Sequence, residues 1–476
     1  MINTPRTKFV VTLGPACATP EVLRKMIDAG ASVLRLNFSH GTPEQRLGYL
    51  KVVRECVGDQ AIAIMGDLCG PKIRIGQIEN NAMPLEAGDV VTIQREPILG
   101  RDHVISSNYP CLVDDLGVGQ RVLIDDGNIR MIVIEKHSNS VKCQVTHGAM
   151  LSSNKGLNLP NTKVGLPSVT DKDWADVDFA IENNLDYIAL SFVRSAEDME
   201  LVRRYLQSKG SKMGLVSKIE MPEAIDNLAR IVEVSDVVLV ARGDLGVEMD
   251  LTAVPLIQKQ IVAAAHEAGK PVIVATQMLQ SMVENASPTR AEVSDVANAI
   301  LDGADACMLS GETAVGKYPV GAVLVLSEIA RRTEKFMIEK GVAITPPKLL
   351  QMTHHRTAAI AHGARTVVDD INAKLVVVWS QAGGSARYLS KNRFGVPIVA
   401  LSTDPGAVRR MAMFYGITPL CVGIPAHYDD LPPLVDAICA RHQLAEPGDR
   451  VVIMAGAPLG IQGVTNSLSV HTVLKV

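Results

Sequence analysis

The sequence predicts an α/β protein: a (β/α)8 barrel with an inserted small all-β domain and a C-terminal open α/β domain. Eight short apolar or β-branched runs recur before residue 313, and most of them are followed by a helical pattern. More than a hundred residues rich in turn signals separate the third run from the fourth. After about residue 345 a new alternation of strand-like and helical segments begins, which predicts a further domain.

The predicted barrel strands are short and, except for the first, end in polar or charged residues. They are Lys8–Gly14, Ser32–Ser39, Ala61–Asp67, Tyr187–Arg194, Gly214–Glu220, Val237–Asp244, Pro271–Gln277 and Ala306–Glu312. Helical periodicity is clear over Pro20–Ala29, Ala196–Ser208, Ala224–Glu233, Leu256–Ala268 and Pro288–Leu301. Ser287 is a good N-cap for the last of these helices, and Pro288 suits its first position. Strand and helix alternating eight times predict the barrel.

The long interval predicts an all-β domain inserted at the catalytic face of the barrel. Its short alternating runs are Val90–Gln94, Val104–Ser106, Arg121–Ile124, Met131–Glu135 and Val141–Thr146. The tail has strand-like runs at Leu375–Ser380, Pro397–Leu401, Thr418–Val422 and Val451–Ala455, after a linker that begins at Ile344. We therefore expect the barrel at 1–69 and 167–344, the inserted domain at 70–166 and the C-terminal domain at 345–476.

Composition predicts a soluble cytoplasmic protein without affinity for nucleic acid or membranes. Hydrophobic residues make up 47% of the 476 residues and charged residues 21%, with a net charge of −4. This balance gives no general attraction to nucleic acid. The eight cysteines are scattered without a C-x-x-C pair, which indicates reduced thiols. The N-terminal apolar stretch is too short for a signal peptide, and no run approaches the roughly 20 apolar residues of a membrane span.

Polar residues at the strand ends predict where the chemistry lies. In a barrel of this type catalytic groups project from the C-terminal ends of the strands. The candidates are Arg35, Asn37 and Ser39 on strand two, Asp67 on strand three, Lys218 and Glu220 on strand five, Arg242, Gly243 and Asp244 on strand six, Thr276 on strand seven, and Ser310 and Glu312 on strand eight. Six polar strand ends that converge on one face indicate a site.

The trio Lys218, Glu220 and Asp244 predicts a metal-dependent enzyme acting on a small phosphorylated carboxylate. Two carboxylates from adjacent strands suit Mg²⁺ or Mn²⁺, which retains open positions for substrate oxygens. The Lys218 ammonium would then reach a phosphoryl group bound to that metal. A structural ion pair is the alternative, and it would be favoured if Lys218 stood alone with one carboxylate. Gly243 lets a ligand carboxylate approach backbone N–H groups, although it also reads as a simple turn glycine.

Six segments of the chain resemble the pyruvate kinase family. They are Ser32–His40, Gly66–Arg74, Ser217–Glu220, Val240–Glu248, Ala275–Leu279 and Met308–Ala314. The resemblance extends over essentially the whole chain in the order barrel, inserted domain, barrel and C-terminal domain. It implies transfer of the phosphoryl group of phosphoenolpyruvate to ADP, followed by protonation of the enolate to pyruvate, in the final step of glycolysis.

The resemblance also implies a role for each site residue. Lys218 would stabilise the transferring phosphoryl group and Arg35 would contact the phosphate. Glu220 and Asp244 would hold the divalent metal, while Gly243, Asp244 and Thr276 would contact the substrate. The proton donor stays open between Thr276, Ser310 and bound water. The nucleotide side would be lined by Asn37, Phe38, Ser39, His40, Arg74 and Lys155, with the inserted domain closing over the site as a lid.

One departure from the family pattern concerns the monovalent cation. Many members bind potassium at residues matching Asn37, Ser39, Asp67 and Leu68, and in those members a Glu commonly stands where this chain has Lys72. The Lys72 ammonium would occupy that region itself, so that potassium is not required. The alternative is that Lys72 merely begins the inserted domain and faces solvent. Cys69 is also unusual in its motif, and the sequence does not show what it changes.

The C-terminal domain resembles the family's effector domain, and the family is expected to form a homotetramer. The loop Ser380, Gln381, Ala382, Gly383, Gly384 and Ser385 matches the place where activating sugar phosphates bind, although Ala382 replaces a hydroxyl residue often found there. Arg387 is an additional candidate contact, or else a helix-surface arginine. Two other functions remain as rivals: a magnesium-dependent lyase or aldolase on the same fold, and a non-catalytic regulatory binder.

Overall fold

The computed structural model describes residues 5–58, 60–160, 162, 164–342, 345–348 and 355–475. The first part of the barrel contains the strands β1 (Lys8–Thr12), β2 (Ala31–Asn37) and β3 (Ala63–Asp67) and the helices α1 (Pro20–Asp28) and α2 (Pro43–Val57). Each helix begins at a threonine N-cap followed by proline, because the Thr19 and Thr42 side chains accept backbone N–H groups of the first turn. A single 3-10 turn, Pro15–Cys17, follows β1.

The inserted domain, hereafter the lid, lies between β3 and the next barrel strand. Its strands are β4 (Met83–Pro84), β5 (Val90–Gln94), β6 (Val104–Ser106), β7 (Arg121–Ile124), β8 (Ile129–Lys136), β9 (Ser140–His147), β10 (Met150–Leu151) and β11 (Leu157–Asn158), with one short helix, α3 (Leu112–Asp115), and the 3-10 turn Glu79–Asn81. Six strands form one sheet in the order β11-β7-β8-β9-β5-β6. The sheet encloses its own apolar core, so the lid is a separate packing unit.

The second part of the barrel supplies the strands β12 (Tyr187–Leu190), β13 (Gly214–Ile219), β14 (Val237–Ala241), β15 (Val272–Ala275) and β16 (Ala306–Leu309). Its helices are α4 (Asp171–Glu182), α5 (Ala196–Ser208), α6 (Pro222–Asp226), α7 (Leu228–Val234), α8 (Arg242–Glu248), α9 (Val254–Glu267), α10 (Arg290–Asp302), α11 (Gly311–Ala314) and α12 (Pro319–Glu339), with the 3-10 turn Gln280–Val283. The eight parallel strands close in the order β1-β16-β15-β14-β13-β12-β3-β2, which confirms the predicted barrel.

The C-terminal domain is an open α/β sheet. Its elements are α13 (Arg356–Asp370), β17 (Leu375–Trp379), α14 (Gly384–Lys391), β18 (Ile398–Ser402), α15 (Pro405–Met411), β19 (Ile417–Cys421), the 3-10 turn Tyr428–Asp430, α16 (Leu431–His442), β20 (Arg450–Ala455) and β21 (Ser467–Thr472). The strand order is β19-β18-β17-β20-β21, with β21 antiparallel to β20. The sequence prediction did not include β21. No helix in the described part of the chain is long and apolar enough to cross a membrane.

The C-terminal domain covers the end of the barrel where the strands begin. Tyr187, the first residue of β12, donates its hydroxyl hydrogen to the carbonyl oxygen of Arg410 at 2.6 Å. Asp305, immediately before β16, pairs with Lys391 at 2.5 Å and with Arg393 at 3.1 Å. One apolar cluster contains side chains from both the barrel interior and the C-terminal domain. The opposite end of the barrel, where the strands finish, faces the lid.

Four predicted elements are corrected by the structure. The last residues of the predicted sixth strand, Arg242 to Asp244, open the helix α8 instead. In the same way Gly311 and Glu312, the last residues of the predicted eighth strand, open the helix α11. The helix expected from Pro288 begins at Arg290, because Thr289 and Glu292 form a reciprocal capping box with hydrogen bonds of 3.2 and 2.8 Å. The segment expected as one helix over Ala224–Glu233 is divided between α6 and α7 at Asn227. Ile344, the start of the predicted linker, lies outside the described residues.

Candidate active site

Lys218 is the centre of a buried cluster of charged side chains at the C-terminal end of the barrel strands. Its Nζ atom lies 2.8 Å from Glu220 Oε1 and 3.2 Å from Asp67 Oδ1. It also donates a hydrogen bond of 2.6 Å to the hydroxyl of Ser191. Burial disfavours the charged ammonium, but Asp67, Glu220 and Asp244 together raise the pKa of Lys218 above its ordinary value. Lys218 is therefore a positively charged group at neutral pH.

Arg35 adds a second cation on the other side of Asp67. Its Nε donates to Asp67 Oδ2 at 2.6 Å, and its Nη1 donates to the Thr12 hydroxyl at 3.0 Å. Burial by itself would raise the pKa of Asp67, but the charges of Lys218 and Arg35 outweigh it and hold that pKa below its usual range. One ionised carboxylate thus separates two cations at the mouth of the barrel, a suitable arrangement for binding a multiply charged anion.

Glu220 and Asp244 are the residues that could hold a divalent metal. Glu220 Oε2 accepts the backbone N–H of Phe192 at 2.8 Å. Glu220 Oε1 is buried and, although close to Lys218, has no partner in hydrogen-bonding geometry among the described residues. Burial and the neighbouring Asp244 raise the pKa of Glu220, against the opposing effect of Lys218. A buried carboxylate oxygen without a hydrogen bond, beside a second carboxylate, fits a hard cation.

The described residues contain no group of three or more His, Cys, Asp or Glu side chains arranged for a metal. If Glu220 and Asp244 hold a metal, the protein would supply two carboxylates, and water and substrate oxygens would have to complete the coordination. Mg²⁺ characteristically binds in this way, through one or two carboxylates and substrate phosphates. The residues present fit such an ion.

Gly243 and Thr276 are in direct contact. The backbone N–H of Gly243 donates to Thr276 Oγ1 at 2.7 Å, and the Thr276 hydroxyl donates to the Ala275 carbonyl oxygen at 2.6 Å. The amide expected to face a ligand carboxylate is thus engaged by a side chain. Thr276 has a φ of 68°, which is strained for a β-branched residue.

Two other strand-end residues, Glu312 and Arg242, form hydrogen bonds with backbone groups of neighbouring segments. Glu312 accepts the backbone N–H of Ser310 at 2.7 Å and that of Leu279 at 3.1 Å. Arg242 reaches the carbonyl oxygens of Ala275 and Thr276 and the carboxylate of Asp295. Ser310 itself is half-buried at the start of α11.

The residues expected on the nucleotide side lie on both the barrel and the lid. Asn37 Oδ1 accepts the Ser39 backbone N–H at 3.0 Å, and His40 is exposed. In the lid, Arg74 donates to the Asn154 carbonyl oxygen at 3.0 Å, and Lys155 pairs with Asp125 at 2.7 Å. Partial desolvation lowers the pKa of His40, and the charges of Arg74, Arg35 and Lys72 lower it further.

Phe38 differs from the other residues of this set. Its side chain is fully buried, and its ring packs edge-on against Phe179. Its carbonyl oxygen accepts hydrogen bonds from Arg46 and Lys172. Because both ring and carbonyl are engaged in the barrel wall, we do not include Phe38 in the proposed nucleotide side.

A cavity of about 350 Å³ lies between the lid and the barrel. Its lining includes Lys72 and Asn158 from the lid and Phe192, Asp244 and Glu248 from the barrel. Asp244 lines this cavity, and its charge acts on Lys218 and Glu220, so the cavity adjoins the charged cluster. A substrate bound at the barrel mouth would be enclosed by both domains.

Comparison with known proteins finds pyruvate kinases as matches along almost the whole chain. The family model described as "Pyruvate kinase, barrel domain" matches residues 4–323, and "Pyruvate kinase, alpha/beta domain" matches residues 358–471. The pyruvate kinase of Mycobacterium tuberculosis is 41% identical over 473 residues, covering 99% of each chain. That of Corynebacterium glutamicum is 39% identical over 472 residues, covering 98% of this chain and 97% of the other.

The chain belongs to the pyruvate kinase family. The crystal structure of a pyruvate kinase from Cryptosporidium parvum also superimposes with a TM-score of 0.90 at 35% identity, covering 98% of this chain and 96% of the other. The pyruvate kinase fold therefore accounts for the barrel, the inserted sheet and the C-terminal domain together. Enzymes of the pyruvate kinase family need a divalent metal, in agreement with the fit at Glu220 and Asp244.

Two further sets of residues expected from the pyruvate kinase resemblance are already engaged in contacts. The Leu68 carbonyl oxygen accepts the Ser191 hydroxyl at 2.7 Å, and both oxygens of Asp67 lie near cations. In the effector loop, Ser380 Oγ accepts the Ala386 N–H, Gln381 donates to Thr403, and Ser385 bonds to Thr465. Gly383 has a φ of 93° and precedes α14. Arg387 turns away from the loop and donates to the Gly269 carbonyl oxygen of the barrel.

Sequence reasoning missed two residues of the cluster, Ser191 and Thr12. Ser191 links Lys218 to the Leu68 carbonyl, and Thr12 orients Arg35. Both stand at the ends of barrel strands, Ser191 directly after β12 and Thr12 as the last residue of β1. The rule that selected the other strand-end residues would have found them if it had been applied to hydroxyl side chains on every strand.

Proposed function

We propose that this chain transfers the phosphoryl group of phosphoenolpyruvate to ADP, which yields pyruvate and ATP, through the cluster formed by Arg35, Lys218, Glu220 and Asp244. The observation that carries the proposal is the position of two buried cations and two carboxylates at one point of the barrel mouth, in a chain of the pyruvate kinase family. The reaction is the last step of glycolysis.

The charged residues would act mainly by electrostatic stabilisation of the phosphoryl group. The Lys218 ammonium, fixed by Asp67, Glu220 and Ser191, is oriented before substrate binds and needs little rearrangement. Arg35 would bind the phosphate from the side of Thr12. Glu220 and Asp244 would hold Mg²⁺ or Mn²⁺, which when bound neutralises negative charge on substrate oxygens. Arg35 and Lys218 place positive charge where phosphoryl transfer develops negative charge on oxygen.

The substrate carboxylate and the proton transfer would involve Gly243, Asp244, Thr276 and Ser310. The Thr276 hydroxyl points its hydrogen toward the Ala275 carbonyl, so direct donation to the enolate would need that bond to break. Ser310 Oγ and a water molecule held near Thr276 are the other candidates. The three remain alternatives.

ADP would lie between Asn37, Ser39 and His40 on the barrel and Arg74 and Lys155 on the lid. Lid closure would bring the two cations toward the nucleotide phosphates and exclude water from the transferring group. Neither rival function, the lyase nor the regulatory binder, requires cations on a lid.

A coupled assay tests this function directly. We expect pyruvate to be released from phosphoenolpyruvate only when ADP is present, whereas a lyase or aldolase would not depend on ADP. Lys218→Met should reduce turnover by at least about 10²-fold, the usual cost of removing one group that stabilises transition-state charge. The exposed Lys51→Met provides the matched control and should retain full turnover. Full activity of Lys218→Met would contradict the assignment.

We further propose that Lys72 makes potassium unnecessary. Lys72 is half-buried, lines the cavity between lid and barrel, forms no ion pair among the described residues, and contributes to the lowered pKa of His40. We expect wild-type activity to persist in potassium-free buffer, and Lys72→Glu to become dependent on potassium. A large loss of wild-type activity without potassium would disprove this role.

The effector loop and the quaternary structure are proposals by family membership. We expect a sugar phosphate to activate the enzyme through residues Ser380 to Ser385, and we expect a homotetramer. Titration with sugar phosphates and light scattering test the two expectations separately. Activation that survives replacement of Ser380 and Ser385 would exclude this loop.

A further inference from the structure

A hydrogen bond joins the lid to the barrel helix that carries the candidate metal ligand. Asn158 Nδ2, on lid strand β11, donates to Glu248 Oε1 at 2.7 Å. Glu248 is the last residue of α8, and Gly243 and Asp244 lie in the first turn of the same helix. The two partners are 90 residues apart in the chain, so the contact exists only when the lid sits against the barrel.

The position of Glu248 is costly for a carboxylate. Its side chain is buried, with 6% of the residue exposed, and it forms no ion pair among the described residues. It also stands at the C-terminal end of a helix, where the backbone carbonyls disfavour negative charge. Burial raises the pKa of Glu248 to about 7, against the lowering effect of the hydrogen bond from Asn158, and the charges of Glu223, Asp244 and Glu220 raise it further. The proposed chemistry gives Glu248 no role, so its placement needs another reason.

The two ends of α8 are held by different domains. At its start, Arg242 is fixed to the carbonyl oxygens of Ala275 and Thr276 and to Asp295, all in the barrel. At its end, Glu248 is held by Asn158 of the lid. Asn158 is itself fixed in the lid sheet, where it pairs with Leu123 of β7. A displacement of the lid would therefore act on one end of α8 while the other end stays attached to the barrel.

We propose that Asn158 and Glu248 form a latch through which the position of the lid sets the position of α8, and with it Gly243 and Asp244. Both are positioning residues: neither contacts the transferring group, and they act through the helix between them. The kinetic part of this inference rests on the proposed function. Binding of nucleotide under the lid would in this way align the substrate side of the site.

The test uses the full-length protein and a double-mutant cycle. The variants are Asn158→Ala, Glu248→Ala, their combination, and Glu248→Gln, in which the amide oxygen can still accept the hydrogen bond. Asn139→Ala, an exposed asparagine in the same lid, is the matched control. Hydrogen–deuterium exchange is measured at residues 242–248 and in the lid sheet, and kcat and KM are measured for both substrates.

We expect Asn158→Ala to increase exchange in α8, across the domain boundary, by about tenfold, the upper end of the effect of losing one ordinary hydrogen bond. Turnover should fall by about tenfold in either single alanine variant and no further in the double variant, because each removes the same interaction. Glu248→Gln should stay within about twofold of wild type, and Asn139→Ala should not change.

Unchanged exchange in α8 of Asn158→Ala, or turnover losses that add in the double variant, would overturn the latch. If an alanine variant does not fold, an Asn158→Asp variant replaces it and is compared with Glu248→Gln, which keeps the hydrogen bond. Asn158→Asp should weaken the contact because two carboxylates then face each other. If the wild-type chain had no activity with phosphoenolpyruvate and ADP, the proposed function would fail while the exchange experiment would still test the latch.

Discussion

At the scale of single residues, the buried site shows how one carboxylate balances the charge of two neighbouring cations. Asp67 is the clearest case, since it lies 2.6 Å from Arg35 and 3.2 Å from Lys218 and is almost completely buried. Two cations side by side would repel each other, and in a site of low polarity the repulsion is strong. The Asp67 carboxylate reduces that repulsion and orients both side chains. Asp67 thus orients the two residues to which the proposed function gives a direct part in the reaction.

Asp67→Asn tests this role. Removing one charge from a buried cluster typically costs about 3–5 kcal/mol, so we expect a lower melting temperature and weaker binding of phosphoenolpyruvate. The pKa of Asp67 is lowered in the folded protein, so its stabilising contribution is present above the ordinary aspartate pKa of about 4 and is lost as the pH falls through the lower folded value. The variant should lack this acid-side loss. Scanning calorimetry over a pH series measures the melting temperature and its loss in acid, and titration calorimetry measures the binding of phosphoenolpyruvate.

The exposed Asp370→Asn variant serves as control for that experiment, because it removes the same charge without touching the site. If both aspartate variants melted at the wild-type temperature, the charge-balancing role of Asp67 would be wrong.

At the scale of elements, the helix α8 shows how a short segment can be held in place by its neighbours. Seven residues give few internal hydrogen bonds, and isolated helices of this length are unstable. Arg242 compensates at the start of the helix with bonds to two backbone carbonyls of the β15 end and to Asp295 on α10. The planar guanidinium can reach all three, whereas a lysine ammonium cannot reproduce that geometry.

Arg242→Lys should therefore be damaging although it preserves the charge. We expect a loss of about 1–3 kcal/mol in stability, from buried acceptors left without donors, and a reduced kcat because Asp244 is displaced. Melting temperature and steady-state kinetics provide the measurements. Arg230→Lys, on the exposed face of α7, is the conservative control. Wild-type kinetics in Arg242→Lys would show that α8 is held by other contacts.

The strands were predictable from the sequence, and α8 was not. A buried parallel strand leaves a run of apolar β-branched residues, which is why most predicted strands match within three residues. Arg242 to Asp244 continue the sixth run in sequence but turn into a helix, because their partners, Thr276 and Asp295, lie on later segments. The pairs Asn158 with Glu248 and Lys391 with Asp305 were unpredictable for the same reason. Their partners lie far apart in the chain, so the contact leaves no pattern in the local sequence.

For the candidate site, the strand-end rule found Lys218, Glu220 and Arg35 correctly as neighbours. It could not show that the Gly243 N–H is engaged by Thr276, or that Glu312 and Arg242 bind backbone groups. A polar side chain at a strand end has two directions available, toward the cleft or toward the next loop. Only the packing of the adjacent loops decides between them.

At the scale of the whole molecule, the C-terminal domain and the barrel share buried polar contacts. Asp305 is buried between Lys391 and Arg393, and Asp186 pairs with Arg409 at 2.8 Å. His266, at the end of α9, lies near the first pair and bonds to the Thr345 carbonyl oxygen at 2.8 Å. These contacts lie at the end of the barrel where the strands begin. They favour movement of the C-terminal domain and the barrel as one body.

Because His266 is buried, we expect the free energy of unfolding to depend on pH in the acid range. Burial, with the nearby charges of Lys391 and Arg393, lowers its pKa to about 4. The unfolded chain takes up this proton at the ordinary value of about 6.5, so the folded state should lose stability as the pH falls from about 6.5 to 4, by up to about 3 kcal/mol. His266→Asn should flatten this part of the profile. The exposed His362→Asn should not, and equal profiles in wild type and His266→Asn would refute the prediction.

The closure of the barrel by its first and last strands has a consequence for the order of events during synthesis. β1 pairs early with β2, but Lys8 of β1 also lies beside Ala306 of β16, so one edge of the first strand waits for a partner made nearly 300 residues later. At ~5–20 residues per second, the ribosome needs about 15 to 60 s to supply it. The lid sheet, by contrast, is complete within one continuous stretch and can fold while the rest is being made. Until then the half-made barrel exposes apolar strands and an unpaired edge, which favour aggregation. The C-terminal domain covers the end where the strands begin only when translation is almost finished.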